Sequence, residues 1–133
     1  MSLIDQLVRI YHEEKLWSKS VLSKEESIEY YKEILKKGKL IYHLQNDNIV
    51  GFIEWHNLND DQFVRFIHNK EFHIAEEDID SGSICYITSV WVKNGHRYVY
   101  RILRDRLLET NKACELFAGK ELKRNNRLRM FRR

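Results

Sequence analysis

The segment Ile84–Val92, which reads ICYITSVWV, places the strongest constraint on the fold because both of its alternating faces are apolar or small. One face would carry Ile84, Tyr86, Thr88, Val90 and Val92, and the other Cys85, Ile87, Ser89 and Trp91. A strand that buries both faces lies inside a sheet that is covered on both sides. We therefore predict that this segment is the central strand of an α/β domain.

A helix and a second strand are predicted to follow the central strand. Lys93-Asn94-Gly95 breaks the strand pattern, and apolar residues then recur at helical spacing from Val99 to Leu107, with arginines between them. This basic amphipathic helix should end near Thr110-Asn111, and Ala113–Ala118 reads as the next strand. Strand, helix and strand make a βαβ unit, whose strands pair in parallel through a right-handed crossover.

Two helices and a hairpin are predicted before the central strand. Ser2 precedes an amphipathic helix that runs toward Trp17. Ser23 and Glu26 form a capping box for the second helix. Leu40–Leu44 and Ile49–Trp55 are β-rich and are separated by a QNDN turn, so they should pair as a hairpin. Within it, Gly51 indicates a bulge or a close backbone approach.

The remaining elements are short. A helix is predicted to start at Asp60 or Asp61, and an acidic stretch, 76–80, then leads to a turn at Ser81-Gly82. After the last predicted strand, Gly119 is predicted to form a turn. A final short basic helix is then predicted from the spacing of Leu122, Leu128, Met130 and Phe131.

Composition supports one domain over residues 1–133, because 133 residues with 43% hydrophobic side chains can form a single core. No apolar run approaches the roughly 20 residues that span a bilayer, and no secretory signal is visible, so an intracellular protein is expected. Cys85 and Cys114 lack CxxC spacing, which favours buried free thiols. The histidines His56, His68, His73 and His96 lack ligand spacing, so no metal site is expected.

Charge is distributed unevenly along the chain. Residues 1–92 hold 10 Lys and Arg against 16 Asp and Glu, whereas residues 93–133 hold 13 against 4. The basic third should attract an anion. Nucleic acid, the phosphates of a nucleotide cofactor and an acidic protein surface all remain candidates, the last including the N-terminal half of a second copy in a homodimer.

The order of elements resembles the GNAT fold of N-acetyltransferases. The resemblance lies in two helices before a hairpin, in the central strand ICYITSVWV with its following helix, and in the closing CELFAGKELKRNNRLRMFRR. In the last segment, Asn125 or Asn126 and Met130-Phe131 stand where the family has an N…LY helix. The resemblance implies an α/β mixed sheet flanked by helices, without the family's last two strands, and a V-shaped parting between the two middle strands.

The resemblance also implies an acetyl-CoA site after the central strand. The family's loop there is rich in glycine, which lets backbone N–H groups approach a pyrophosphate at a helix N-terminus. Here tyrosines stand where glycines would be expected, and Arg97 is the residue that carries over. The implied cofactor-binding residues are Val90, Trp91, Val92, Gly95, His96, Arg97, Tyr98, Val99, Tyr100 and Arg101.

Candidate catalytic residues are few. The family often uses a tyrosine on the last helix as the acid, and Phe131 stands nearest to that place. A base would be sought on the central strands, where Glu54 is the carboxylate embedded in a strand and Tyr86 and His56 lie nearby. The candidate catalytic residues are therefore Glu54 and Tyr86, and the alternative for Glu54 is a solvated strand face.

Three functions follow from these observations. The first is an N-acetyltransferase that transfers an acetyl group from acetyl-CoA to an amine. The second is a non-catalytic protein that assembles with phage virion proteins or DNA, since TSVWVKNGHRYVYRILRDRLLE is similar to a segment of small GNAT-like internal virion proteins of short-tailed bacteriophages. The third is a DNA binder that uses Lys120–Arg133. The expected location is the cytoplasm of a bacterial host, or the virion.

Overall fold

A computed structural model describes residues 2–17, 21–68, 82–121 and 127–133. The described elements are α1 (Leu3–Glu13), α2 (Lys24–Lys36), β1 (Leu40–Gln45), β2 (Asn48–Leu58), α3 (Asp60–His68), β3 (Ile84–Val92), α4 (Tyr98–Thr110), β4 (Leu116–Glu121) and β5 (Arg127–Arg132).

The strands form one mixed sheet in the order β1-β2-β3-β4-β5. β1, β2 and β3 pair antiparallel, β3 and β4 pair in parallel, and β5 returns antiparallel to β4. The predicted α/β mixed sheet, the hairpin and the βαβ unit are therefore confirmed. Asn46 and Asp47 turn the hairpin with φ of 51° and 63°, in the left-handed region that tight hairpin turns require.

Helices cover both faces of the sheet. α1 and α2 pack on one face against Phe52, and α3 covers the next part of the same face against Tyr86. α4 lies on the other face, where Val99, Leu103 and Leu107 are buried against β2, β3 and β4. The amphipathic patterns predicted these contacts, because each helix buries its apolar stripe.

The ends of α1 and α2 show how far local sequence determines a boundary. Ser23 and Glu26 make the predicted reciprocal capping box. Ser2 caps α1 as predicted, but α1 ends at Glu13 and does not run on to Trp17. Lys15 adopts φ 53° just beyond it, a left-handed conformation that stops an α-helix.

Gly51 combines the two roles predicted for it. The register of β1 and β2 shifts between His43 and Leu44, opposite Gly51 and Ile49, so an irregularity lies beside the glycine. A Cβ at Gly51 would lie 2.6 Å from Val99 Cγ1. The missing side chain therefore lets α4 approach the sheet closely.

The C-terminal predictions were wrong in three respects. β4 covers Leu116–Glu121 and not Ala113–Ala118, and Gly119 lies inside that strand opposite Arg129. The predicted final helix is instead strand β5. Its apolar residues lie on both sides of the strand, since Leu128 packs toward α3 while Phe131 stacks on Phe117. Leu122, Asn125, Asn126, the acidic stretch 76–80, His73 and Ser81 lie outside the described residues.

Both cysteines are buried and free, as predicted. Burial raises the pKa of the Cys85 thiol to about 12, with a further contribution from Cys114. None of the described helices is long and apolar enough to cross a membrane.

Candidate functional site

The two middle strands part halfway along the sheet. β3 and β4 pair over four positions, from Ile84 with Leu116 to Ile87 with Gly119. β3 then continues to Val92 with no partner on this side among the described strands, whereas the end of β4 pairs with β5. The V-shaped parting implied by the resemblance is therefore present, and among the described residues no strand pairs with this edge of the second half of β3.

A bulge in β3 coincides with this parting. Glu54 pairs with Ser89, but the next residue of β2, Trp55, pairs with Ile87. Thr88 is thus an extra residue on β3, and such an insertion bends a strand and re-aims its side chains. As a result Thr88 and Ser89 both place their hydroxyls at Glu54.

Glu54 is the centre of a buried polar cluster. Its carboxylate accepts hydrogen bonds from Thr88 Oγ1 at 2.7 Å, from Ser89 Oγ at 3.3 Å, and from the hydroxyl of Tyr30 on α2. The residue is 3% exposed, so it does not lie on a solvated strand face. A buried carboxylate is stable only when donors replace its hydration, and three hydroxyls do so here.

Two further groups belong to this cluster. His56 Nε2 lies 3.7 Å from Glu54 Oε2, and both side chains are almost completely buried. Burial raises the pKa of Tyr30 well above its usual value, and the charge of Glu54 raises it further. Tyr30 therefore stays protonated, which keeps it a hydrogen-bond donor to the carboxylate.

Tyr86 is buried elsewhere on the same face. It stands opposite His56 in the sheet register and packs against Phe63 and Phe66 of α3. Its hydroxyl has no hydrogen-bond partner among the described residues, and burial raises its pKa. No hydrogen bond joins Tyr86 to Glu54, so the structure does not bring the two candidate catalytic residues into direct contact.

The turn between β3 and α4 is held by its own backbone and by His96. His96 N donates to Lys93 O at 3.1 Å, and Gly95 adopts φ 85°. His96 uses one ring nitrogen toward Asn94 O and the other toward Gln45 Oε1, at 3.1 and 2.9 Å. The imidazole thus ties the turn to the hairpin and orients the start of α4.

The first turn of α4 carries no negative charge. Arg97 occupies the N-cap position without a side-chain cap, and no acidic residue lies in the first turn. No carboxylate therefore offsets the positive end of the helix dipole, and such an end attracts anions. Two N–H groups of this turn are already paired, since Val99 N donates to His96 O and Tyr100 N donates to Arg97 O. Arg97 and Arg101 are exposed beside it.

Tyr98 and Tyr100 do not fill this turn. They are 52% and 51% exposed, and the ring of Tyr98 leans toward His43 and His96. Each phenol ring is therefore about half exposed to solvent and is not part of the core.

The other predicted cofactor residues divide between surface and core. Val90 is 44% exposed beside the parting. Trp91 packs toward Phe52 on the α1–α2 face, while Val92 packs into the α4 core. Val99 is completely buried, so its side chain serves the core.

Sequence reasoning missed the hydroxyl donors of the cluster. Tyr30 was not singled out, and Thr88 and Ser89 were assigned only to strand faces. The signal was present in the two adjacent hydroxyl residues within an otherwise apolar central strand. No group of three or more potential metal ligands occurs among the residues that the structure describes.

Comparison with solved structures agrees with this geometry, although no family model and no curated protein matches the sequence. A Staphylococcus aureus Mu50 protein that carries an acetyltransferase name matches with TM-score 0.59 and 18% identity, over 92% of this chain and 76% of that one. An N-acetyltransferase from the same organism matches with TM-score 0.59 and 12% sequence identity, over 88% of this chain and 66% of the other. The GNAT-like decarboxylase GphF, solved with isobutyryl-CoA, matches with TM-score 0.61 and 15% sequence identity, over 88% of this chain and 60% of the other.

These likenesses define the class of fold. The element order, the mixed sheet and the parted middle strands are those of a GNAT-like protein, and the chain has the GNAT fold. The chain spans about three fifths to three quarters of these neighbours. At identities below a quarter, the likeness establishes architecture alone.

Proposed function

We propose that this protein binds an acyl-CoA, with acetyl-CoA as the simplest candidate, and transfers the acyl group to an amine. The observation that carries the proposal is the parting of β3 from β4 beyond Ile87 and Gly119, directly beside the uncapped N-terminus of α4. The unpartnered edge of β3 can hydrogen-bond an extended chain, and the helix end can hold a diphosphate. One structural neighbour, GphF, was solved with isobutyryl-CoA.

The described residues fit such a ligand. Its diphosphate would lie at the positive end of α4 beside Arg97 and Arg101, and no carboxylate lies in that first turn to repel it. Its amide-bearing arm would lie along β3 near Val90, which is exposed. A bound acyl-CoA supplies a thioester, which is an activated acyl donor.

Within this proposal, Glu54 is the proton acceptor of the site. When the amine attacks the thioester, a C–N bond forms, the C–S bond breaks and coenzyme A leaves as its thiolate. The amine must also lose a proton, and a carboxylate within reach of it, directly or through one hydroxyl, can accept that proton. Thr88 and Ser89 are partly exposed while Glu54 is buried. In this proposal the two hydroxyls, which donate to Glu54, pass the proton of the amine to the carboxylate.

The proposal is tested by calorimetric titration with acetyl-CoA and with coenzyme A. Replacing Arg97 and Arg101 together by alanine should weaken binding about tenfold or more, because two cations at the helix end are lost. Arg9→Ala, an exposed arginine of α1, is the matched control and should leave affinity unchanged. No heat of binding at millimolar ligand, or equal affinity in all three proteins, would remove the proposal.

A second function is favoured by the outer strand β5. Met130 and Phe131 are 57% and 46% exposed beside Arg132 and Arg133. β5 is the last strand of the sheet among the described residues, and an outer strand can pair with another chain. Under this alternative, the GNAT fold serves assembly with phage virion proteins or DNA and no acyl transfer occurs. DNA binding that weakens steeply with salt, together with no response to acetyl-CoA, would favour it.

A further inference from the structure

A pocket lies at the opposite end of β3 from the parting of β3 and β4. It has a volume of about 410 Å³, within the range of small-molecule sites. It forms where β1 and β3 begin, where β2 ends, and where α4 gives way to the turn before β4. Its lining includes Lys39, Trp55, Asn57, Ser83, Thr110 and Asn111.

The walls of this pocket are fixed by a buried polar network. Lys39 Nζ donates to Asn57 Oδ1 at 2.6 Å, and Asn57 Nδ2 donates to Asn111 Oδ1 at 2.9 Å. Asn111 Nδ2 in turn donates to Leu107 O at 3.0 Å, the last turn of α4. A network whose amides bond one another holds its shape without a ligand, so the pocket is preformed.

The charge of the lining is positive. Lys39 is the charged residue of the lining, and no described ion pair involves it. The carbonyl end of α4 would oppose an anion, but Arg133 Nη2 donates to Leu108 O and to Asn111 O, both at 2.9 Å. A cation at a helix C-terminus offsets the negative end of the dipole.

The groups left over in the lining are hydrogen-bond donors. Lys39 has ammonium protons beyond the one it gives to Asn57, and Ser83 and Thr110 place hydroxyls on the exposed rim. Trp55, another lining residue, is 1% exposed and its Nε1 has no partner among the described residues. Buried N–H groups are normally paired with an acceptor, so an acceptor is missing at this N–H among the described residues.

We infer that this pocket binds a small organic anion, whose carboxylate or phosphate oxygens are held by Lys39 with the hydroxyls of Ser83 and Thr110. The anion supplies the acceptors that the lining lacks, and it meets no lining carboxylate. The site is separate from the acyl-CoA site proposed above, and its occupation does not depend on that proposal.

The test uses the indole N–H of Trp55 as a reporter in ¹H–¹⁵N spectra of the full chain without CoA. The protein has three tryptophans, so Trp17→Phe and Trp91→Phe assign the signals without changing the pocket. Benzoate, inorganic phosphate and benzylammonium are titrated separately to about 20 mM, a weak-ligand range. Benzoate, phosphate or both should shift the Trp55 signal saturably, and the more effective of the two identifies the preferred oxyanion. Benzylammonium, which has the same ring with opposite charge, should not shift it.

Variants decide whether Lys39 holds the anion. Lys39→Met should raise the dissociation constant about tenfold, the effect of losing one charge-assisted hydrogen bond, while Lys37→Met, an exposed neighbour, should not change it. If Lys39→Met does not fold, Lys39→Arg should retain binding and Thr110→Ala should weaken it. Three results would overturn the inference. No probe shifts the Trp55 signal, benzylammonium shifts it as much as the anions do, or the anions shift it equally in Lys39→Met.

Discussion

Thr88 Oγ1 donates a hydrogen bond to Glu54 Oε2 at 2.7 Å, at the residue where β3 carries one more position than β2. The carboxylate thus holds the bulge, and Tyr30 connects the bulge to α2. The bulge lies where β3 leaves β4. A buried carboxylate and three hydroxyls therefore stabilise the local geometry on which the candidate acyl-CoA site depends.

Removal of the Tyr30 hydroxyl should destabilise the protein. Tyr30→Phe leaves the carboxylate of Glu54 buried with one donor fewer, which costs about 1–3 kcal/mol. Tyr42→Phe is the matched control, because Tyr42 is partly buried and its hydroxyl has no partner among the described residues. Urea unfolding measures both free energies of unfolding. Equal values for the two variants would show that the Tyr30 hydrogen bond contributes nothing.

A side chain at Gly51 should push α4 away from the sheet. The Cβ of Gly51→Ala would lie 2.6 Å from Val99 Cγ1 and 3.2 Å from Trp91 O, and overpacking of this kind costs about 1–3 kcal/mol. Val99→Ala removes the nearest atom, so Gly51→Ala should cost less in that background. A double-mutant cycle by denaturant unfolding measures the coupling. Additive effects would contradict the close approach.

Alkaline pH should weaken the fold through groups that burial keeps protonated. The pKa of Cys85 rises from 9.0 to about 12, and that of Tyr30 also rises. The unfolded chain loses the Cys85 proton above pH 9 and the Tyr30 proton above pH 10, while the folded chain keeps both, so stability is complete below pH 9 and falls as pH rises. The decline approaches about 1.4 kcal/mol per pH unit for each such group.

Urea unfolding at pH 7, 9 and 10.5 measures this decline, and the Cys85→Ala variant should lose stability less steeply between pH 9 and 10.5. Its absolute stability is not the readout, because the substitution also alters packing. A free energy of unfolding that stays constant to pH 10.5 would be inconsistent with the buried thiol.

The stacked pair of Phe117 and Phe131 should matter more than its exposure indicates. Their ring centroids are 5.0 Å apart with planes 6° from parallel. Phe131→Ala should cost at least about 0.5–1.5 kcal/mol, the contribution of such a pair beyond burial. Met130→Ala, at the neighbouring and more exposed position, should cost less. The opposite ranking in thermal unfolding would contradict strand β5 as the structure has it.

Local signals in the sequence predicted most of the fold. The capping box at Ser23 and Glu26, the hairpin turn, and the apolar faces of Ile84–Val92 each depend on neighbours along the chain. The C-terminal prediction failed because Leu128, Met130 and Phe131 fit helical spacing as well as strand positions. Pairing with β4 decides between them, and that contact cannot be recognised from the short segment alone.

The candidate site could be predicted only in part. Glu54 was recognised as a carboxylate within a strand, and the parting followed from the resemblance. The bulge was not predictable, because it arises from the mismatch of β2 and β3 at Trp55 and Ile87. Without it, Thr88 and Ser89 would point to opposite faces, so their shared contact with Glu54 could not be anticipated.

The central claim is tested most directly by the backbone amide signals of β3 and the following turn during titration of ¹⁵N-labelled protein with acetyl-CoA. Signals of residues 88–101 should shift saturably, while those of α1 remain in place as an internal control. Because one edge of β3 is unpartnered beyond Ile87, some amides there should also exchange with solvent more slowly once the ligand is bound. Unchanged signals across residues 88–101 at millimolar acetyl-CoA would contradict the claim.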